Sequence, residues 1–451
     1  MASLDTTDPV VPPPARTALP RSYLLWLAGT RASLAGDAAL AFALGWAASA
    51  HGGRTAALVL TAITLPRTVF LLVGGAVGDR FGARRVMIAG DVVMLAAVLA
   101  LAVAGRAWGA PPAMLLGFAA VVGTVDAFYL PATGSMPRRL VGKEQLPRAL
   151  AVRQAGGQVA ALLGAPLGAV LVAVAGLSGT ALVDAATFAA VLAVMAWVRP
   201  AAEARRSPRR EDPGGEVPGG DVPGREALGR EDQRRDVPGR EVPCTESLFA
   251  GIAGGVRLAA ADPVLRPALL LTAVAAAGVL PVVGLLAPLL ARSDGWGPGT
   301  AGLVAAGQGA GVLLAALVAA RRGPLRRIGA GAGLGLVSAA VGAAALAAVP
   351  ASAPAAAVAA AVLVGTGSGV FACHLGPLVL AGAPDTHLSR VQSLLALVQS
   401  LALVVGNNAL GWLAHASGPR PAIALCATLA CLAGLAALTT PPPRSLRHEG
   451  P

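Results

Sequence analysis

The sequence predicts an all-α membrane protein with twelve transmembrane helices arranged as two six-helix bundles. Three observations predict it. The 451-residue chain is 55% hydrophobic and only 13% charged, about half the charged share of a soluble domain. Its apolar residues fall in runs that reach the roughly twenty residues a helix needs to cross a bilayer. A polar, Pro/Gly-rich stretch at 199–247 divides those runs into two sets of six. A membrane β-barrel would show short alternating segments instead.

Each element follows from the pattern. The N-terminal tail, 1–21, is polar and Pro-rich and carries no cleavable signal peptide in this reading. The N-terminal bundle, 22–198, holds helices at Ser22–Ser49, Ala56–Val77, Val86–Ala104, Pro112–Pro131, Ala149–Ala175 and Leu182–Val198. The 199–247 segment repeats Asp221-Val-Pro-Gly-Arg-Glu at Asp236-Val-Pro-Gly-Arg-Glu. Too polar to offset its ordering entropy by burial, it reads as a disordered cytoplasmic tether. The C-terminal bundle, 248–440, opens with a surface helix at Phe249–Asp262. Its spans are Pro267–Leu290, Ala301–Ala320, Ile328–Ala348, Ala355–Ala381, Val391–Leu413 and Pro421–Thr439, before a cytoplasmic tail at 441–451.

The net charge of +12 would suggest nucleic-acid binding in a soluble chain. Here the arginines sit on one side. With the N-terminus inside, the inner segments hold Arg80, Arg84, Arg85, Arg138, Arg139, Lys143, Arg148, Arg321, Arg322, Arg326 and Arg327. The outer loops hold Arg54, Arg106, Arg292 and Arg420. This positive-inside asymmetry places both termini in the cytoplasm of a cell whose inner (plasma) membrane the chain spans, and no nucleic-acid partner is needed. Cys244, Cys373, Cys426 and Cys431 lack metal-ligand spacing, and no nucleotide or metal motif is present. The expectation is no cofactor, no metal and no enzyme activity, with an ion gradient as the energy source.

The most specific motif is Gly75-Ala-Val-Gly-Asp79-Arg80-Phe-Gly82-Ala-Arg84-Arg85. It resembles the loop motif between helices two and three of the major facilitator superfamily, Gly-x-x-x-Asp-Arg-x-Gly-x-Arg-Arg. The resemblance implies two bundles of inverted three-helix repeats working by alternating access. It also implies that Asp79 meets the N-terminal dipole of helix eleven near Ser389–Val391. Gly75 then admits a close neighbour, Gly82 makes the turn, and the loop arginines have Asp91 and Asp126 as candidate partners. Leu34-Ala-Gly36-Asp37, Asp126-Ala-Phe-Tyr-Leu-Pro131-Ala, Met136-Pro-Arg-Arg-Leu-Val and Ala149–Gln154 look like drug (macrolide-efflux) and enterobactin exporters. In helix five the chain has Gly164-Ala-Pro166-Leu-Gly168-Ala where antiporters carry Gly-Pro-x-x-Gly-Gly.

Charges inside a membrane are costly and mark function or pairing. Asp37 and Arg67 are read as a cavity-facing pair that exchanges partners as a proton loads and leaves, with Arg31 two turns deeper. A static ion pair that fixes packing is the alternative. Arg153, Gln154 and Gln158 are candidates to line the cavity or pair with Asp126. Asp184 is placed near the outer end of helix six as an interfacial residue. His374 is read as packed and hydrogen-bonded, and Gln392, Gln399, Asn407 and Asn408 as interhelical glue or substrate contacts. The resulting expectation is proton-coupled efflux of a small hydrophobic compound by a monomer. The alternatives are an uptake permease for a polar metabolite and a non-transporting scaffold or sensor.

Overall fold

The computed structural model describes residues 18–197, 265–323, 325, 327–382 and 388–439. The expected tether, the 249–262 surface helix and the C-terminal tail lie outside the described residues. All described elements are helical. They are α1 (Arg21–Ser49), α2 (Gly53–Phe81), α3 (Ala83–Trp108) and α4 (Pro112–Ser135). A 52-residue helical stretch, Leu146–Trp197, breaks at Gly176 into α5 (146–175) and α6 (177–197). Then come α7 (Leu265–Ser293), α8 (Pro298–Arg322), α9 (Ile328–Ala348), α10 (Pro354–Gly382), α11 (Leu388–Ser417) and α12 (Pro419–Thr439).

The turns follow from backbone sterics. Gly176 has φ 65° and ψ −169°, a conformation open to glycine and closed to residues with a Cβ. One residue therefore reverses the chain between α5 and α6. Helix α7 is irregular: π-helical turns at Ala275–Val279 and Val282–Leu286 flank Pro281. Proline supplies no N–H and crowds the preceding turn, so the hydrogen-bond ladder shifts register around it.

The same pairings recur in both halves. α1 packs on α5 and α6, α2 on α4, and α3 on α4 and α6. Six helices later, α7 packs on α11 and α12, α8 on α10, and α9 on α10 and α12. Between halves the main contacts are α2 with α11 and α5 with α8, pairs that interchange under the same six-helix shift. This is the pattern of two repeats related by an axis along the membrane normal.

Lipid offers no hydrophobic force between helices, so close contact must supply it. Gly307 and Gly311 of α8 rest on the α10 backbone at Val358 and Val362, and Gly365 and Gly369 of α10 rest on α8 in return. Gly164 and Gly168 of α5 do the same on Ala38 and Ala39 of α1. Gly74 packs on the Ala127 carbonyl, whereas Gly78, one turn on, has nothing within 4 Å among the described residues. Outward-facing apolar side chains are exposed, Val103 by 69% and Val405 by 67%, as a lipid-facing surface requires. Trp108, Trp197 and Trp412 are exposed near helix ends, where indoles anchor at the membrane interface.

The core joins at one end and divides at the other. One cluster unites Leu44, Ala57 and Leu115 of the first half with Leu286, Leu410 and Ile423 of the second. Its first-half members lie toward the distal side, away from the start of α1, while in the second half it also runs toward the terminal side through Ala332 and Phe371. On the terminal side two separate clusters appear. Trp26, Met87 and Met195 belong to the first half, and Leu265, Val391 and Leu394 to the second. Among the described residues, the first half's terminal-side cluster is thus not joined to the second half's.

Gly365→Ala should lower the unfolding free energy by about 1–3 kcal/mol, because the new methyl meets Gln308 backbone that cannot yield. Gly117 faces open space, so Gly117→Ala should be neutral or slightly stabilising. Thermal melts of the two variants in detergent compare them directly.

Candidate functional site

Small residues set the site. Gly36 of α1 leaves a gap, and the carboxylate of Asp184 and the side chain of Thr187, both from α6, fill it. Thr187 Oγ1 donates to Asp184 Oδ1 at 3.1 Å, while Asp184 Oδ2 is buried without a partner. Asp184 is 1% exposed and level with the middle of α1. It is not interfacial, contrary to the sequence expectation. The physical reason is Gly36: an alanine there would push α6 away and carry Asp184 with it.

Asp37 follows Gly36 and is partly accessible. Its charged neighbours are carboxylates from three other helices: Asp184 on α6, Asp126 on α4 and Asp91 on α3. Arg67 of α2 does not pair with Asp37. It sits 3.9 Å from Asp126 Oδ2, with both side chains about one-third exposed (36% and 37%). Asp126 therefore lies at the depth of Arg67, near the middle of α2, rather than at the terminal end beside the loop arginines. Asp91 is fully buried, and the Tyr129 side chain is its polar neighbour.

The loop motif is occupied differently from expectation. Arg84 Nη2 donates to the Met195 carbonyl at 2.7 Å, tying the start of α3 to the end of α6. Arg80 stacks over the Phe81 ring, 5.6 Å from its centroid. Arg85 is exposed on the rim of an apolar groove of about 490 Å³ between α2, α3 and α4. Gly82 has φ 86° and makes the turn. Gly75 has nothing within 4 Å among the described residues. The side chain of Asp79 and those at the start of α11 lie outside the described residues, and so does the expected contact between them.

On the terminal side of Asp37, Arg31 of α1 lies along α5, with its Nη1 3.5 Å from the Arg153 carbonyl. Arg153 adjoins Arg31, not Asp126, while Gln154 and Gln158 are exposed. Pro166 sits between Gly164 and Gly168 where α5 meets α1. His374 is 4% exposed; its Nδ1 is 2.7 Å from the Val370 carbonyl, and its Nε2 accepts from Leu325 N–H at 2.9 Å. It is a packed side chain that holds the α8–α9 connection. Asn408 donates to Thr61 Oγ1 at 2.7 Å, a hydrogen bond between the two halves. Among the described residues no group of three or more His, Cys, Asp or Glu could hold a metal ion.

Sequence reasoning placed Arg292 in an outer loop and gave it no role. It is the main polar tie between the halves on the distal side. From the end of α7 it donates to Ser49 Oγ at 2.6 Å and to the Trp46 carbonyl at 2.7 Å. Its guanidinium lies 4.1 Å from the Trp46 ring centroid. A lone arginine beside a loop gives no sequence signal for this; the aromatic end of α1 is the only hint.

With this geometry in view, the chain compares as follows. A sequence model of the Major Facilitator Superfamily matches residues 26–407. No curated protein matches the chain in sequence. Among solved structures, a mutant of the nucleoside transporter NupG is similar at TM-score 0.68 and 10% identity, over 93% of this chain and 99% of that one. A bacterial homologue of the iron transporter ferroportin, inward-facing, gives TM-score 0.65 and 16% identity over 94% and 99%. A POT family transporter in complex with 5-aminolevulinic acid gives 0.65 and 13% over 93% and 96%. At these identities the likeness is one of fold.

Arg292→Ala removes two hydrogen bonds and a cation–π contact, on the order of 1–3 kcal/mol in favour of distal opening. Spin labels at the distal ends of α3 and α10 should report longer and broader distances in the variant. An unchanged distribution would deny Arg292 a latching role.

Proposed function

The chain belongs to the Major Facilitator Superfamily, and from that premise we propose that it exports a small, largely hydrophobic compound in exchange for protons. As a family member it is a multi-pass membrane transporter and not an enzyme. What carries the proposal further is the carboxylate group at mid-depth: Asp37 and Asp184 on adjoining helices, with one Asp184 oxygen unpartnered.

Two carboxylates side by side in a desolvated site repel, and a single proton between them removes one charge. The other charged groups facing them are Asp91 from α3, and Asp126 with its partner Arg67 from α4 and α2. Arg67, 3.9 Å from Asp126 Oδ2 and about one-third exposed, is the residue that exchanges partners in this reading. In the proposed cycle, substrate enters from the open terminal side and proton release from the pair accompanies closure on that side. The distal tie at Arg292 then parts, and protonation from the far side resets the carrier. The halves rock about a fixed midplane site.

The arginine asymmetry supports a cytoplasmic terminal side in a plasma membrane, which makes the conformation described above inward-facing. Within this reading the carrier works as a monomer, because each half completes its own bundle and the two halves close one path. A second reading, uptake of a polar metabolite, is favoured by one observation. Arg31, Asp37, Arg67, Asp126 and Arg153 put several charges about the path, more than an apolar cargo requires.

Transport in proteoliposomes separates these readings. With a pH gradient imposed, then collapsed, the wild type should accumulate hydrophobic members of a compound panel only while the gradient stands. Asp37→Asn should abolish that accumulation yet retain gradient-independent exchange, and Asp184→Asn should slow it by about tenfold or more. Gradient-driven transport at the wild-type rate in Asp37→Asn would end the proton-exchange proposal.

A further inference from the structure

Arg31 and Arg153 are neighbours, and among the described residues no carboxylate lies between them. Arg31 leaves α1 and runs across α5 at Gly156, where an added Cβ would lie 3.2 Å from its Cγ and Cδ. Its Nη1 also fills the space beside Gly157. The arginine is thus seated by two consecutive glycines, in a berth built for its stem. It reaches only a backbone carbonyl, that of Arg153 at 3.5 Å. The Nε of each arginine is buried without an acceptor. Arg67 and Arg420 form ion pairs with carboxylates; among the described residues neither Arg31 nor Arg153 has such a partner. Each guanidinium is instead a repulsive neighbour of the other, and the remaining polar groups close to Arg31 are the phenols of Tyr23 and Tyr129.

Both arginines are partly accessible but bury an unpaired Nε, and like charges held together in this way are costly unless something of opposite sign joins them. A guanidinium presents planar paired donors that match a carboxylate or a phosphate. We propose that Arg31 and Arg153 bind the anionic end of the transported compound, a carboxylate or phosphate on an otherwise apolar body. This rests on the transport reading above and narrows its substrate class to amphiphilic anions. The berth lies between the open terminal side and Asp37, so a cargo meets the two cations before it reaches the carboxylates. An anion seated there neutralises the pair and leaves its apolar remainder in the path between the halves.

The test is equilibrium binding to the full chain in a neutral detergent, without a gradient, so that it reads independently of proton coupling. The probes are phenyl phosphate and benzoate, with benzamide and benzylamine as neutral and cationic counterparts. Phenyl phosphate and benzoate should raise the melting temperature in a saturable way, and the other two should not. Arg31→Ala and Arg153→Ala should each weaken anion binding about tenfold or more, and Arg31→Lys should retain part of it. Both alanine variants must melt near the wild-type temperature without probe; if one does not, the other and Arg31→Lys carry the test. Equal binding of benzamide, or undiminished benzoate binding in the arginine variants, would overturn the proposal. So would loss of phenyl phosphate binding on adding phosphatidylglycerol, which would assign the berth to a lipid headgroup.

Discussion

Lipid tails are as apolar as leucine, so nothing in the hydrocarbon core pushes helices together. The packing here depends on backbones that come close enough for dispersion contacts to accumulate, and glycine is what allows it. The α8–α10 pair interlocks through Gly307, Gly311, Gly365 and Gly369. The α1–α5–α6 group does so through Gly36, Gly164 and Gly168. In the second group the same economy of side chain creates the chemistry. Close approach at Gly36 carries the Asp184 carboxylate into the middle of the bundle, beside Asp37. The glycines at 156 and 157 give Arg31 its course across α5. Packing and charge placement are therefore one problem in this molecule.

Most of the fold was legible in the sequence, because a membrane span is a statement about length and polarity. The ninth helix, Ile328–Ala348, is found where the apolar run lies, and the others extend by a few residues at their ends. The site was less legible. Helices that are apolar on every side show no periodicity to say which face is inward, so depth was readable and direction was not. Asp37 and Arg67 share a depth, yet Arg67 turns to Asp126 on α4. Asp184 looked interfacial because its distance from the start of its span was misjudged. The span begins at 177 because Gly176 turns the chain in one residue, whereas polarity alone suggested a later start at Leu182. The loop motif identified the family, but motifs specify residue types and not the conformation in which they meet. Among the described residues nothing lies within 4 Å of Gly75.

The division of the core bears on the proposed rocking of the two halves. One hydrophobic cluster bridges the halves on the distal side, and each half keeps a cluster of its own on the terminal side. Each half is held internally by interlocked backbones that resist deformation. Between the halves the described polar ties include Arg292 on α1, and Asn408 on Thr61. Stiff bodies joined by a seam move as bodies, and the seam is where substitutions alter the balance of states.

The turn at Gly176 has a mechanical consequence. Helix α5 touches the second half through α8, where Gly302 meets Ala169 and Gly309 meets Leu162. Helix α6 carries Asp184. A single residue joins them, so the hairpin has no slack to absorb displacement. Under the proposed rocking it acts as a crank: a tilt of α5 against α8 is delivered to the Asp184 carboxylate at the far arm, and the gap at Gly36 opens or tightens with it. The distance between the two carboxylates is thereby geared to the angle between the halves.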